Sequence, residues 1–109
     1  MDLPLFKKTF EYASLIVDIL EGMPKKYRFS IGENLLKSAL SMFRHISHAN
    51  RTRGDERIRH IDEFLAEYDT SIALVRLCNE KKILTVKQVA NLTILVDSMG
   101  KQAKGWRRS

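Results

Sequence analysis

Cysteine, proline and glycine are scarce in this sequence, which contains one cysteine, two prolines and five glycines in 109 residues. A single cysteine excludes an intramolecular disulfide framework and is compatible with a reducing compartment. No apolar run approaches the roughly 18 residues of a membrane-spanning helix. The N-terminus lacks a basic region followed by an apolar one, so we expect no secretory signal, no membrane binding and a cytoplasmic location.

Motifs for catalysis and cofactor binding are also missing. The sequence has no glycine-rich phosphate loop, no paired-carboxylate motif and no serine elbow. Cys78 lies beside an apolar stretch without a neighbouring base, which favours a small core residue over a nucleophile. We therefore expect a protein that is not an enzyme, with no catalytic residue and no cofactor.

The three histidines, His45, His48 and His60, lie on both sides of a predicted turn. A protein metal site needs several convergent ligands and a supporting outer shell. The nearby carboxylates in the sequence, Asp55 and Glu56, belong to the turn itself. We expect exposed polar histidines, or histidines that contact phosphate, and no metal site.

Apolar residues recur at helical spacing in four segments, at about residues 4–23, 30–50, 55–82 and 85–106. No stretch alternates polar and apolar residues between turn signals, so no β-sheet is expected. Short connections between long helices favour antiparallel neighbours. The sequence therefore predicts one all-α domain over residues 1–109, an antiparallel up-down-up-down four-helix bundle.

Each predicted helix has an apolar face that we expect to lie inward. In chain order these residues are Phe6, Phe10, Ala13, Val17 and Leu20, widened by Ile16, Ile19 and Met23; Leu35, Ala39, Met42, Ile46 and Ala49; Ile58, Ile61, Leu65, Tyr68, Ile72 and Val75; and Val89, Thr93, Val96, Gly100 and Ala103. Pro4 suits a first helical turn. Ser30 with Glu33, and Thr85 with Gln88, have the spacing of capping boxes that begin the second and fourth helices.

The net charge of +6 arises from 19 basic and 13 acidic residues and is unevenly distributed. Residues 25–53 contain seven basic residues and one acidic residue, and residues 83–109 contain five basic residues and one acidic residue. Residues 1–24 and 54–82, in contrast, each contain more acidic than basic residues. A basic excess favours a polyanionic partner, RNA or DNA. A solvated face that only maintains solubility explains the same charge, and both interpretations stay open.

The candidate nucleic-acid-binding residues belong to these two basic segments and the turn between the second and third helices. They are Lys25, Lys26, Arg28, Lys37, Arg44, His48, Arg51, Arg53, Arg57, Lys101, Lys104, Arg107 and Arg108. Spacing places the residues from Lys37 to Arg51 on one outward face. We expect the C-terminal group to lie near Lys25 and Arg28, so that a basic stripe spans the length of the bundle and matches phosphate groups.

Arg76 is unusual because it lies inside the apolar stretch from Ile72 to Leu77. Its aliphatic stem should run along packed surface. Two interpretations remain: an ion pair with a carboxylate of another helix or subunit, or a role at an interface.

Three short motifs resemble a known family. Residues 23–33, MPKKYRFSIGE, are similar to the start of the second helix in the accessory variability determinant (Avd) proteins of diversity-generating retroelements. Arg76-Leu77 followed by residues 83–88 resembles the family's connection between the third and fourth helices. Residues 98–106 resemble its closing motif, with Lys104 in place of the first of two paired glycines.

The resemblance implies a homopentameric barrel that binds the element's reverse transcriptase and its template RNA and supports mutagenic copying. The chemistry would belong to the polymerase. A broader superfamily, the four-helix proteins encoded in ribosomal-RNA intervening sequences, shares the fold, and a protein-interaction scaffold of that type without nucleic acid is the alternative. A membrane-surface binder would need an exposed amphipathic helix, whereas all four helices should be committed to the core.

Overall fold

The computed structural model describes residues 2–109, which form four long helices and contain no β-strand. Helix α1 spans Leu3–Gly22, α3 spans Gly54–Glu80 and α4 spans Val86–Arg108. Helix α2 is continuous over residues 25–51 and consists of a turn at Lys25–Tyr27, a π-helical turn at Arg28–Gly32 and a regular helix at Glu33–Arg51. The predicted all-α class is confirmed.

The helices form a closed bundle in which each helix packs against the next one in the chain, and α4 packs against α1. The bundle measures 43 × 22 × 19 Å. Helices α1 and α3 are therefore diagonal to each other, as are α2 and α4. The starts of α1 and α3 and the ends of α2 and α4 share one end of the bundle, which we call the C-terminal pole. The other end is the opposite pole.

Side-chain caps fix two of the helix starts. The Asp2 carboxylate accepts a hydrogen bond from the Leu5 amide at 3.1 Å, and Pro4 occupies the first turn of α1 as predicted. At the start of α4, the Thr85 hydroxyl accepts from the Gln88 amide at 3.1 Å. The Gln88 side chain in turn accepts from the Thr85 amide at 2.9 Å, which confirms this capping box.

The predicted capping box at Ser30 is wrong, because α2 begins five residues earlier, at Lys25. Pro24 is extended and its carbonyl accepts hydrogen bonds from the Tyr27 and Arg28 amides, which opens the helix. The Ser30 hydroxyl donates to the Lys26 and Tyr27 carbonyls instead of accepting from an amide. Ser30 thus lies within the π-helical turn and caps nothing.

The inward faces of α1 and α3 are rotated relative to the prediction. The fully or largely buried residues of these helices are Leu5, Thr9, Tyr12, Ala13, Ile16 and Ile19 in α1, and Ile61, Phe64, Tyr68, Ser71, Val75 and Cys78 in α3. Phe10, Val17, Ile58 and Ile72, expected inside, are exposed, as is Thr93 of α4. The predicted inward face of α2, from Leu35 to Ala49, is confirmed.

A buried polar pair lies on the inward faces that the structure shows. The hydroxyls of Tyr12 in α1 and Ser71 in α3 lie 2.5 Å apart in the core, joining two diagonal helices. Both side chains are fully buried, and burial raises the pKa of Tyr12 to about 12. Because each hydroxyl satisfies the other, neither incurs the cost of an unpaired buried polar group. A prediction from apolar periodicity places polar residues such as Ser71 on the surface, and it therefore shifts the inward face of the helix by about one residue.

Helix α4 approaches α3 closely at a single glycine. Gly100 is buried, and a Cβ atom built there would overlap the hydroxyl and ring of Tyr68. Gly105, one turn later in the same helix, has no atom within 4 Å of an added Cβ. Gly100 therefore makes room for the Tyr68 ring, whereas Gly105 serves no such packing role.

We predict opposite effects for the same substitution at these two positions. Gly100→Ala should destabilise the protein by about 1–3 kcal/mol, since the core must shift to admit the methyl group. Gly105→Ala should be neutral or stabilise it by up to about 1 kcal/mol through helix propensity. Urea denaturation followed by circular dichroism measures both. Equal effects of the two substitutions would refute the packing role of Gly100.

Candidate nucleic-acid interface

The outer side of α2 presents a row of basic side chains. Lys37, Arg44, His48 and Arg51 are all exposed, and Arg53 follows in the connection to α3. Within residues 2–109, none of them has a carboxylate within 4.0 Å. We call these five residues the α2 basic face. The charges of Lys37, Arg44, Arg51 and Arg53 are not neutralised by a carboxylate of residues 2–109.

The C-terminal basic residues do not lie where the sequence suggested. Lys101, Lys104, Arg107 and Arg108 belong to the end of α4, which lies at the C-terminal pole, whereas Lys25, Lys26 and Arg28 lie at the opposite pole. The expectation that these two groups meet is therefore wrong. In an antiparallel bundle the fourth helix ends beside the end of the second helix and not beside its start.

Contacts at the C-terminal pole verify this arrangement. The Asp2 amide donates to the Asn50 side chain at 2.6 Å, which brings the start of α1 to the end of α2. The Arg57 guanidinium lies 5.2 Å from the centroid of the Trp106 ring, which brings the start of α3 to the end of α4. The terminal group of α4 thus adds positive charge at the same pole as Arg51 and Arg53.

Three of the candidate arginines have structural partners. Arg28 is half-buried and donates to the Met23 carbonyl at 3.1 Å and the Glu21 carbonyl at 3.4 Å, at the end of α1. Arg57 donates to the Ala49 carbonyl at 3.0 Å, at the end of α2. Arg107 forms a two-pronged pair with Asp62, with Nε 2.5 Å and Nη2 3.2 Å from the two carboxylate oxygens. These side chains hold helix ends together.

Lys25, Lys26, Lys101, Lys104 and Arg108 remain exposed, with no carboxylate partner in the described part of the chain. The ammonium group of Lys26 lies 4.8 Å from the centroid of the Tyr27 ring. The structure therefore divides the predicted stripe into two parts. One part is the α2 basic face together with the cations at the C-terminal pole, and the other is the pair Lys25 and Lys26 at the opposite pole.

The Arg107–Asp62 pair yields a titration test. The hydrogen bonds from Arg107 hold the pKa of the Asp62 carboxyl below its ordinary value. Arg107→Gln should raise the Asp62 pKa towards that value, measured by carboxyl ¹³C NMR, whereas Arg108→Gln next to it should leave the Asp62 pKa unchanged. Identical Asp62 titration curves in wild type and Arg107→Gln would show that the pair does not form in solution.

A histidine cluster lies on the seam between α2 and α3. His45 Nδ1 is 3.0 Å and His60 Nδ1 is 3.9 Å from Glu63 Oε2. The His48 ring stacks on the His60 ring with centroids 5.1 Å apart. Burial lowers the pKa of His45, an effect that Glu63 opposes.

The expectation of exposed histidines is correct for His48 and wrong for His45 and His60, which are half-buried. Their carboxylate neighbour is Glu63, not Asp55 or Glu56. Sequence reasoning missed Glu63, although its position three residues after His60 places both side chains on one side of α3. Its approach to His45 depends on the packing of α2 against α3.

Cys78 and Arg76 lie in opposite environments, one in the core and one on the surface. Cys78 is fully buried with a free thiol whose pKa burial raises, which confirms it as a core residue. Arg76 is 81% exposed, and its nearest carboxylate within residues 2–109 is Glu80 on the same helix, at 3.9 Å. The proposed ion pair to another helix of this chain is therefore not formed.

Two apolar surfaces lie on opposite sides of the bundle. The first is a groove between α1 and α2, which we call face A; it is lined by Phe10, Ala13, Ser14, Val17, Leu40 and Phe43. The second lies between α3 and α4 and is called face B; it includes Ile72, Val75, Arg76, Val89 and Thr93. The pairs α1–α2 and α3–α4 are opposite sides of the four-helix square, so the two faces point away from each other.

None of the helices described in residues 2–109 is both long and apolar enough to cross a membrane.

The four helices and their closing order define a class, the all-α four-helix bundles. The chain belongs to the bAvd-like family, whose family model matches residues 4–109. The resemblance seen in the three sequence motifs is thereby confirmed.

Among solved structures, a protein of unknown function from the S23 ribosomal protein family of Bacteroides thetaiotaomicron is similar to this chain. The two share 17% sequence identity over 96% of each chain, with a TM-score of 0.87. At this identity the likeness shows the fold alone. No curated protein matches the chain in sequence.

Proposed function

We propose that this protein is a non-catalytic accessory protein of a diversity-generating retroelement, which binds the element's template RNA and its reverse transcriptase during mutagenic reverse transcription. Membership of the bAvd-like family supports the accessory role. The observation that carries RNA binding is the α2 basic face, whose residues have no carboxylate partner among residues 2–109.

The distribution of charge supports a polyanionic ligand over a general solubility role. Solubility is served by basic and acidic groups interspersed over the surface. Here Lys37, Arg44 and Arg51 lie on one helix side, and Arg53 and the α4 terminus extend the positive region at the C-terminal pole. When basic side chains neutralise the phosphates of a nucleic acid, the counterions condensed on it are released. This release contributes to the affinity of the protein for the nucleic acid and makes that affinity depend on salt.

Charge reversal on the α2 basic face tests RNA binding. Arg44→Glu/Arg51→Glu should weaken binding of template RNA at low salt by at least about tenfold and reduce the slope of log K against log salt by about 1–2. The fold should survive, because both side chains are exposed and bond only within α2. Fluorescence anisotropy measures affinity, and circular dichroism measures helicity.

The matched control is Lys7→Glu/Lys87→Glu, which makes the same change in net charge at exposed positions on α1 and α4. This variant should retain most of the wild-type affinity. Unchanged affinity in the Arg44/Arg51 variant, or an equal loss in the control, would refute a specific α2 basic face. A wild-type salt slope near zero would refute phosphate contacts altogether.

We also propose that the chain forms a homopentamer. Face A and face B are different surfaces on opposite sides of the bundle, which suits a head-to-tail contact that closes into a ring. Burying exposed Phe10 and Val17 of one subunit against Ile72 of the next would remove apolar area from water. The number five rests on the family.

Mixing two interface variants tests the ring. Phe10→Glu disrupts face A and Ile72→Glu disrupts face B, so each variant alone should be monomeric by native mass spectrometry, whereas the wild type should show five chains. Mixed together, the two variants retain one intact A–B contact and should form a heterodimer. Phe29→Glu, an equally exposed aromatic position at the opposite pole, should remain pentameric. Failure of the mixture to form dimers would contradict head-to-tail packing.

The reverse-transcriptase partner rests on the family alone and is testable by genetics and copurification. A reverse-transcriptase reading frame and a template repeat should lie beside the gene, and the two proteins should copurify. If both neighbours are absent and RNA binding also fails, the interaction scaffold of the intervening-sequence type becomes the better interpretation.

A further inference from the structure

We infer that His45, His60 and Glu63 form a binding site for a divalent transition-metal ion of the Zn²⁺ type, which would clip α2 to α3. This site does not depend on RNA binding or on the proposed partner. It uses side chains that neither the core nor the α2 basic face requires.

The positions of the ligand atoms fit a small metal ion. One potential ligand atom from each residue lies within 4.8 Å of the other two. Glu63 Oε2 is 3.0 Å from His45 Nδ1 and 3.9 Å from His60 Nδ1. In a tetrahedral zinc site with bonds of about 2.0–2.2 Å, neighbouring ligand atoms are about 3.4 Å apart. Small side-chain rotations therefore suffice to complete three of the four positions.

The two imidazole nitrogens have no other partner. His45 Nδ1 and His60 Nδ1 are both buried, and neither makes a hydrogen bond within residues 2–109, although His45 Nδ1 lies close to the Glu63 carboxylate. A buried polar nitrogen without a partner is costly, and metal coordination would remove that cost. Glu63 is partly exposed, which leaves access for the ion and an open position for water.

The ligand chemistry selects the class of metal. Two imidazole nitrogens and one carboxylate oxygen suit Zn²⁺, Ni²⁺, Cu²⁺ or Co²⁺, whereas Mg²⁺ and Ca²⁺ prefer oxygen ligands. The His48 ring contacts the His60 ring, with centroids 5.1 Å apart, but His48 is absent from the ligand group. His48 is therefore the natural control, a histidine in the same cluster that should not ligate.

The test is calorimetric titration of the chelator-treated, untagged full chain with Zn²⁺. The wild type should bind one ion per chain, and His45→Gln, His60→Gln and Glu63→Gln should each weaken binding by at least about tenfold. His48→Gln should stay within about threefold of wild type. Saturating Zn²⁺ should raise the melting temperature of the wild type and of His48→Gln, and not that of Glu63→Gln.

Bound Co²⁺ provides a spectroscopic check, because its visible absorption is intense only in tetrahedral coordination. Circular dichroism of each variant without metal separates loss of ligands from loss of fold, and Glu63→Gln, a substitution of similar size at a partly exposed position, is the variant least expected to unfold. No zinc binding by the wild type would overturn the site. So would equal losses in His48→Gln and His45→Gln, which would indicate a diffuse histidine surface.

Discussion

Burial of the core positions sets the rotation of each helix about its axis, and the surface features described above follow from that rotation. In α1 the chain buries Leu5, Tyr12 and Ile16, with Tyr12 bonded to Ser71 across the bundle. One residue along a helix corresponds to a rotation of about 100°. The choice of this inward face therefore places Phe10 and Val17 outside, and it creates face A. The hydrophobic effect drives the burial, and the hydrogen bond between the two hydroxyls lets Tyr12 and Ser71 be buried without an unpaired polar group.

Antiparallel closure is the second constraint, and it controls the electrostatics. It brings the end of α2 and the end of α4 to the same pole, so that Arg51, Arg53 and Arg108 lie at one end of the bundle, on two diagonal helices and the connection after α2. Like charges at this density repel one another. The pole offsets part of that repulsion locally, since Arg107 pairs with Asp62 and Arg57 lies over Trp106. The remaining cations are the ones that would meet phosphate in the proposed role.

The described surfaces are suited to contact with macromolecules. The polar and apolar regions are arranged around the bundle by helix pair: face A on α1 and α2, face B on α3 and α4, and the α2 basic face on the outer side of α2. The histidine cluster lies on the seam between α2 and α3. In the proposed ring, faces A and B would be used by neighbouring subunits, whereas the histidine cluster lies on a different seam, between α2 and α3.

Local sequence patterns predicted the number of helices, their antiparallel order, Pro4 in the first turn of α1, the capping box at Thr85 and the inward face of α2. Helical periodicity and capping depend on residues within one or two turns. Membership of the bAvd-like family was also visible in short motifs. The separation of the C-terminal cations from Lys25 follows from the antiparallel order and could have been predicted. The core faces of α1 and α3 and the meeting of His45 with Glu63 were not predictable in this way. Each depends on a contact between helices far apart in the chain, and such contacts form only when the bundle closes.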